Sequence, residues 1–161
     1  MQTERRSMLK KLSLTVLSII GIRSITGAAG AHKTPGAAGT APEKEANGII
    51  YDQEVPLFSG STKLGNLLFI AGKGAHFEGD IKSHTEAVLK DLEAELVKAG
   101  SSMQKVLKVS VFLNDIADFE GMNSIYKGRF GAKPPVRTTV AVAKGGVPGN
   151  SLVEIDCIAY I

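Results

Sequence analysis

Apolar and polar residues alternate along Val106–Leu113, and several of them are β-branched, which is typical of a half-buried strand. The apolar side of this predicted strand comprises Leu107, Val109, Val111 and Leu113. A shorter apolar run at residues 67–70 follows Gly65-Asn66, a dipeptide that favours a hairpin turn. We therefore expect a strand near residues 49–52 or 57–59 to pair with this run.

Two other segments show the helical period of apolar residues. In the first, Ser83 followed by Glu86 is the spacing of a capping box at a helix start, and Gly100 suits its end. Its apolar face comprises Val88, Leu89, Leu92 and Leu96. The second helix is predicted to begin at Asp118 and to end at Gly131. Its apolar stripe comprises Phe119, Met122, Tyr126 and Phe130.

Charged residues interrupt the last two apolar, β-branched segments. Arg137 lies within residues 134–140, Glu154 lies within residues 152–157, and a Gly-Gly-Val-Pro-Gly-Asn turn joins the two segments. A charge in such a strand is costly to bury unless it meets an opposite charge. Either the two side chains neutralise each other, or they line a site whose ligand brings a carboxylate. The residue types leave both interpretations open.

The elements follow one another in the order β-β-α-β-α-β-β. This order predicts an α+β fold in which two helices cover one face of a mixed sheet. The chain has 161 residues, enough to bury one sizeable core. Its single cysteine, Cys157, excludes an intrachain disulfide, and we expect it to be buried because its neighbours are apolar.

The basic character of the chain is confined to its N-terminus. The formal net charge is +3, but five basic residues against one acidic residue give residues 1–31 a charge of +4, which leaves −1 for the remainder. The predicted folded part therefore lacks the basic surface that binding to DNA or RNA requires. Nucleic acid is thus not an expected partner.

Residues 1–31 have the order of features found in an export signal. The pair Arg5-Arg6, close to a twin-arginine pattern, precedes an apolar run at residues 12–22. Arg23 ends this run, which is shorter than the roughly 20 residues of a membrane span. Ala29-Gly30-Ala31 then offers a cleavage site. The alternative is a basic tail that is disordered or tethers the chain to a membrane.

Residues 32–47 have no apolar period and are interpreted as a flexible linker, so that the folded domain comprises residues 48–161. We expect the protein to be periplasmic or otherwise exported, with no membrane contact after the signal is removed. If the leader is not used, we expect it to be cytoplasmic.

The charged strands also carry a family resemblance. Residues 135–140 read Pro-Val-Arg-Thr-Thr-Val, and residues 153–159 read Val-Glu-Ile-Asp-Cys-Ile-Ala. Both resemble strand motifs of the RidA/YjgF family, also labelled L-PSP or reactive enamine/imine deaminase. These motifs are Pro-x-Arg-[Ser/Thr]-x-Val and [Val/Ile]-Glu-Ile-[Asp/Glu]-x-[Ile/Val]-Ala. Similar segments at residues 64–72, 111–119 and 122–126 extend the resemblance over about residues 48–161.

The resemblance implies a chorismate-mutase-like fold and a homotrimer with ligand clefts between its subunits. The implied reaction is hydrolysis of 2-enamine or 2-imine acids, such as 2-aminoacrylate, to 2-keto acids and ammonia, with neither a metal nor an organic cofactor. The alternative is a non-catalytic exported protein of the same fold that binds a small carboxylate metabolite. The older label of the family, an endoribonuclease, is disfavoured by the charge of the predicted domain.

The resemblance assigns a role to each candidate residue. Arg137 matches the arginine that binds the ligand carboxylate, for which a planar guanidinium is well suited. Glu154 matches the motif glutamate, a catalytic residue that can orient water and transfer a proton. The other expected members of the ligand site are Gly72, Thr139, Asn123, Phe58 and Lys73.

Three of the matched positions depart from the family pattern. Phe58 stands where a tyrosine is usual, and Ala71 and Lys73 flank Gly72 where serine and glutamine are common. Lys73 either adds a second cation to the pocket or is a solvated loop lysine. The histidines lack the spacing of a metal site, and His84, near a predicted helix start, is expected at the surface.

Overall fold

A computed structural model of the chain describes residues 41–161. The predicted leader and the first part of the predicted linker lie outside these residues. Within them, a six-stranded sheet carries two helices on one face. The strands are β1 (Glu45–Asp52), β2 (Val55–Leu64), β3 (Leu67–Gly74), β4 (Val106–Leu113), β5 (Val136–Ala141) and β6 (Val153–Tyr160). The predicted α+β fold with a mixed sheet is confirmed.

The order of strands across the sheet is β1-β2-β3-β6-β4-β5. All neighbouring strands are antiparallel except β4 and β5, which are parallel. Strands β5 and β6 are therefore not neighbours, and the glycine-rich segment that joins them is not a hairpin turn. The two charged segments, β5 and β6, instead lie on either side of β4. Because β5 runs parallel to β4, the chain between these two strands makes a crossover connection rather than a tight turn.

The N-terminal part of the sheet has one strand more than predicted. Both candidate segments are strands, and they pair with each other through a turn in which Gln53 and Glu54 have positive φ angles. Strand β2 then pairs with β3 across Gly65-Asn66, as expected. Strand β1 begins at Glu45, so residues 45–47 belong to the sheet rather than to the linker.

Helix α1 (Ile81–Lys98) begins one turn earlier than predicted. Its N-cap is Asp80, whose carboxylate accepts a hydrogen bond of 2.8 Å from the backbone N–H of Ser83. Ser83 is therefore not the cap, because its hydroxyl donates to the Asp80 carbonyl at 2.8 Å. Gly100 follows the helix at a φ of +83°, a conformation that favours glycine.

Helix α2 (Phe119–Tyr126) is shorter than predicted and ends before Gly131. Phe130, from the expected stripe, is nevertheless buried in the turns that follow. None of the helices within residues 41–161 is both long and apolar enough to cross a membrane.

The core lies between the helices and one face of the sheet. Its fully buried members include Leu68, Val88, Leu92, Val109, Met122 and Ile155. Strand β4 has the predicted bounds, but Leu107 is 46% exposed rather than buried, because a register shift between Val106 and Lys108 turns it away from the core. The opposite face of the sheet, which we call the open face, has no covering element within the described residues.

Candidate ligand site

Arg137 lies on the helix side of the sheet, in the edge strand β5. It pairs in register with the buried Val109 of β4, so both side chains point towards the helices. The guanidinium carbon lies 4.6 Å from the ring centroid of Tyr126 and 5.8 Å from that of Phe119, both in α2. Contact with these π-faces holds the half-buried cation in place without neutralising it.

Arg137 has no acidic partner within residues 41–161, since none of the ion pairs found there includes it. Two hydroxyls of the same region, Tyr126 OH and Thr139 Oγ1, are buried and have no hydrogen-bond partner among the described residues. Burial raises the pKa of the Tyr126 phenol to about 12, against the opposing effect of Arg137, so this hydroxyl stays protonated. The cation and the two hydroxyls are suited to an oxygen-rich anion.

Thr139 and Asn123 were expected in the site with Arg137, whereas Tyr126 was not. Thr139 lies two residues after Arg137 and therefore on the same side of β5. Asn123 is half-buried in α2, three residues before Tyr126, so the two share a helix face. Tyr126 belongs to the segment 122–126 that resembles the family, but no role was predicted for it. Its spacing from Asn123 is the signal that places it near the arginine.

Glu154 lies on the open face. It alternates in β6 with Val153 and Ile155, which are fully buried on the helix side. Its carboxylate lines a cavity of about 420 Å³ on this face. The other lining residues are Phe58, Ala71, Gly72, Gly74, His76 and Pro148. A side chain at Gly72 would overlap with the Glu154 carboxylate as it lies here, so the glycine permits this position of the glutamate side chain.

The expected residues Phe58 and Gly72 are thus brought together with Glu154. His76 and Pro148 were missed, because they reach the cavity through loops whose paths depend on the whole sheet. Nothing in their spacing marks them. No group of three or more histidine, cysteine, aspartate or glutamate residues within 41–161 is arranged to hold a metal ion.

Lys73 belongs neither to the residues around Arg137 nor to those that line the Glu154 cavity. Between Ile70 and Lys73 the register of β3 against β6 shifts, which is a β-bulge, and Lys73 pairs in register with the inward-facing Ile155. Its ammonium therefore lies on the helix side, 3.6 Å from Glu95 Oε2 of α1. The lysine is neither a second pocket cation nor a solvated loop residue, because the extra residue of the bulge turns it to the opposite face.

Arg137 and Glu154 do not meet within one subunit. Their side chains lie on opposite faces of the sheet, and the intervening strand β4 separates the two backbones by two strand spacings, about 9–10 Å. They are also offset along β4, where Arg137 pairs with Val109 and Glu154 with Phe112. The interpretation in which the two charges neutralise each other is therefore not realised inside the subunit.

His84 is buried, and the expectation of a surface histidine is wrong. Because α1 begins at Ile81 rather than near Ser83, His84 falls on the inner face of the helix. Its Nδ1 accepts a hydrogen bond of 3.1 Å from the Leu152 N–H, so Nε2 carries the proton and donates to the Phe77 carbonyl at 2.9 Å. The imidazole thereby connects the loop after β3 to the segment before β6.

Cys157 is buried, as expected. Burial and the neighbouring Asp156 raise the pKa of its thiol to about 12, against the opposing effect of Lys73. The thiolate, which is the reactive form of cysteine, is therefore disfavoured.

Comparison with known proteins places the chain among relatives that cover the same region. It matches the family described as Endoribonuclease L-PSP over residues 38–161. A RutC family protein from Pyrococcus abyssi is 36% identical over 123 residues, which span 70% of this chain and 95% of that protein. The chloroplastic Reactive Intermediate Deaminase A of Arabidopsis thaliana is 35% identical over 111 residues, 65% of this chain and 58% of that protein.

A solved structure shows the same architecture. RidA from the Antarctic bacterium Psychrobacter sp. superposes with a TM-score of 0.62 at 30% identity, covering 71% of this chain and 99% of that one. The family match spans most of the chain, and the sequence and structural relatives agree with it. The chain therefore belongs to the L-PSP family, which is also called RidA/YjgF.

Proposed function

We propose that the protein is a cofactor-independent deaminase that hydrolyses 2-enamine or 2-imine acids to 2-keto acids and ammonia. The observation that carries this proposal is Arg137, which has no acidic partner within residues 41–161, with two buried hydroxyls nearby that also lack a partner among these residues. A half-buried cation beside unsatisfied hydroxyls is stabilised by an anion that accepts hydrogen bonds from all of them. A substrate carboxylate is such an anion.

We further propose that each site is completed by a second copy of the chain in a homotrimer, the assembly that the family resemblance implies. Arg137 and Glu154 lie on opposite faces of one sheet, so a ligand that touches both requires two subunits. The open face also exposes large apolar residues that association would bury. These exposed residues are Ile50, Phe58, Leu67, Phe69, Val136 and Val140.

In the proposed reaction, the planar guanidinium of Arg137 donates two parallel hydrogen bonds to the substrate carboxylate. Once the enamine tautomerises to the imine, its carbon is electrophilic and accepts a water molecule. Glu154 of the neighbouring subunit orients this water and removes its proton. The carbon–nitrogen bond then breaks, ammonia leaves with the transferred protons, and the 2-keto acid remains.

The direct test is ammonia release from enzymatically generated 2-aminoacrylate, measured with purified protein. The shared site is tested by refolding Arg137→Lys and Glu154→Gln subunits together in equal amounts. At substrate concentrations below KM, each variant alone is expected to be at least about tenfold less active, because Arg137→Lys weakens substrate binding and Glu154→Gln lowers turnover, whereas random trimers restore both native side chains in about a quarter of the sites. A mixture as inactive as its components would contradict a site built from two subunits.

A non-catalytic binding protein is the second candidate, and one observation favours it. Phe58 and Ala71 line the Glu154 cavity, and neither contributes the hydroxyl that is usual at the matched position. A site without these hydroxyls has fewer groups to position water. Binding of pyruvate without any ammonia release from 2-aminoacrylate would support this alternative.

We also propose export of the protein through the twin-arginine route, on the basis of the leader motifs alone. Replacement of Arg5 and Arg6 by Lys is expected to leave the precursor in the cytoplasm, as measured by cell fractionation. Native protein that retains Met1 in a cytoplasmic fraction would contradict this proposal.

A further inference from the structure

A histidine forms one wall of the Glu154 cavity. His76 follows β3 in the loop that leads to α1, and its side chain lines the cavity of about 420 Å³ together with Glu154. The same side chain also lines a neighbouring cavity of about 210 Å³, whose other lining residues are Phe77, Glu78, Gly149 and Asn150. The imidazole therefore separates the two cavities.

The imidazole of His76, which is exposed, contacts the loop before β6. His76 Nδ1 lies 3.4 Å from the carbonyl oxygen of Gly149, to which an Nδ1–H donates. With that tautomer, Nε2 keeps a free lone pair. Gly149 has a φ of +68°, and a Cβ at this position would collide with the imidazole. The glycine thus permits close contact between the two loops.

Hydrolysis of an imine requires more than one proton transfer. The attacking water loses a proton, and the nitrogen must gain one before the carbon–nitrogen bond breaks. Among the lining residues of the cavity that belong to the described part of the chain, only Glu154 and His76 carry titratable side chains. Phe58 and Ala71, which stand where the family usually has hydroxyls, can neither donate nor accept a proton.

We propose that His76 is a second proton-transfer residue of this site, an inference that rests on the proposed deaminase function. Glu154 takes a proton from water as the C–O bond forms and passes it to the imine nitrogen. Nε2 of His76 then takes the proton of the hydroxyl in this intermediate and delivers it to the nitrogen, as the C–N bond breaks and the carbonyl forms. The overall reaction consumes one water and one imine and releases one 2-keto acid and one ammonia, with no oxidant or reductant.

The charges around His76 come from two elements. Glu154 approaches from β6 through the larger cavity, and Glu78, in the same loop as His76, lines the smaller one. The loop of Gly149 and Asn150 contributes only neutral groups to the smaller cavity. Glu78 thus gives a matched control, because it lies next to the imidazole but does not line the cavity of Glu154.

The test compares His76→Gln, Glu78→Gln and Glu154→Gln in the ammonia-release assay. Gln retains hydrogen bonding at position 76 but cannot carry the proton, so turnover is expected to fall roughly 10²-fold, a typical effect of losing a general acid. Affinity for pyruvate, measured by calorimetry, is expected to stay unchanged. Glu78→Gln is expected to match the parent in both measurements.

Chemical rescue separates a proton-transfer role from a structural one. Added imidazole is expected to restore part of the turnover of His76→Ala, but none of the turnover of Glu154→Gln. Full activity of His76→Gln, beside an inactive Glu154→Gln, overturns the role of His76 and leaves the deaminase proposal intact. A loss in His76→Ala that imidazole does not rescue also overturns it. A parent protein that releases no ammonia overturns both proposals.

Discussion

Arg137 and Glu154 occupy surroundings that differ in enclosure and in neighbouring charge. On the helix side, the arginine is packed over Tyr126 and Phe119, near buried hydroxyls that have no hydrogen-bond partner within residues 41–161. On the open face, the glutamate borders a cavity of about 420 Å³, which is lined mainly by strand residues, three of them the small Ala71, Gly72 and Gly74. In the proposed function, the helix side holds the substrate carboxylate and the open face admits water.

This contrast separates binding from chemistry. An interaction made equally in the ground state and the transition state lowers KM, whereas one made only in the transition state raises kcat. Substitutions on the helix side should therefore change affinity, and substitutions on the open face should change turnover. The variants below test this division from the largest expected effect to the smallest.

Glu154→Gln is expected to have the largest effect. The substitution keeps the shape of the side chain but removes the base, so turnover should fall by roughly 10²–10⁴ while affinity for 2-keto acids stays nearly intact. Steady-state ammonia release and calorimetry with pyruvate measure the two quantities. Unchanged turnover would contradict the catalytic assignment. A lower free energy of unfolding with unchanged turnover would show instead that Glu154 serves to neutralise Arg137.

Arg137→Lys is expected to weaken the binding of pyruvate. Lysine keeps the positive charge but loses the planar fork, which should cost about 1.5–3 kcal/mol in binding free energy, as for a hydrogen bond to a charged group. Arg129→Lys is the matched control, because Arg129 pairs with Glu86 at 2.7 Å and is not part of the site. Equal affinity in both variants would make Arg137 a purely structural residue.

Thr139→Val should lower affinity without lowering stability. The buried Thr139 hydroxyl has no partner among the described residues, so its removal takes no hydrogen bond from the free subunit. The loss of one bond to the ligand should weaken pyruvate binding roughly threefold to tenfold. Thr138→Val, at an exposed position on the other side of β5, is the control. A lower urea midpoint for Thr139→Val would reveal a hydrogen bond within the protein.

The smallest expected effect is that of Asp80→Asn at the N-cap of α1. Hydrogen bonds from Ser83 lower the pKa of the Asp80 carboxyl below its ordinary value of 3.8. Because the folded pKa is the lower one, the charge stabilises the protein above the unfolded value, and this contribution disappears as the pH falls through the folded pKa. The difference in urea midpoint between the parent and Asp80→Asn should therefore shrink between pH 6 and pH 2, since Asn also accepts the capping bond. A constant difference would contradict this linkage.

The elements of the fold are largely predictable, because their signals are local. Strand β4 has its predicted bounds, the turn at Gly65-Asn66 joins β2 to β3, and Gly100 follows α1. The pairing of β5 was not predictable in this way. Its apolar pattern is the same whether β4 or β6 lies beside it, and its position is decided by the crossover through the rest of the sheet.

The candidate site shows the same limit. Arg137, Thr139, Phe58, Gly72 and Glu154 are identifiable from motifs, but motifs do not state which face of the sheet each side chain occupies. His84 lies four residues before the buried Val88 and therefore on the same face of α1, but the predicted start of the helix near Ser83 left it outside the helical pattern. Residues that enter the site through loops carry no periodic signal at all.

The bulge in β3 has a consequence for redesign of the pocket. Ordinary alternation after Ile70 would bring the Lys73 ammonium to the open face, next to Glu154, whereas with the bulge Gly74 is the residue that pairs with Glu154. The number of residues in β3 between Ile70 and Lys73 therefore determines whether a lysine faces the pocket. Libraries that vary only side chains keep this feature constant. To place Lys73 in the pocket, the number of residues in β3 must be changed.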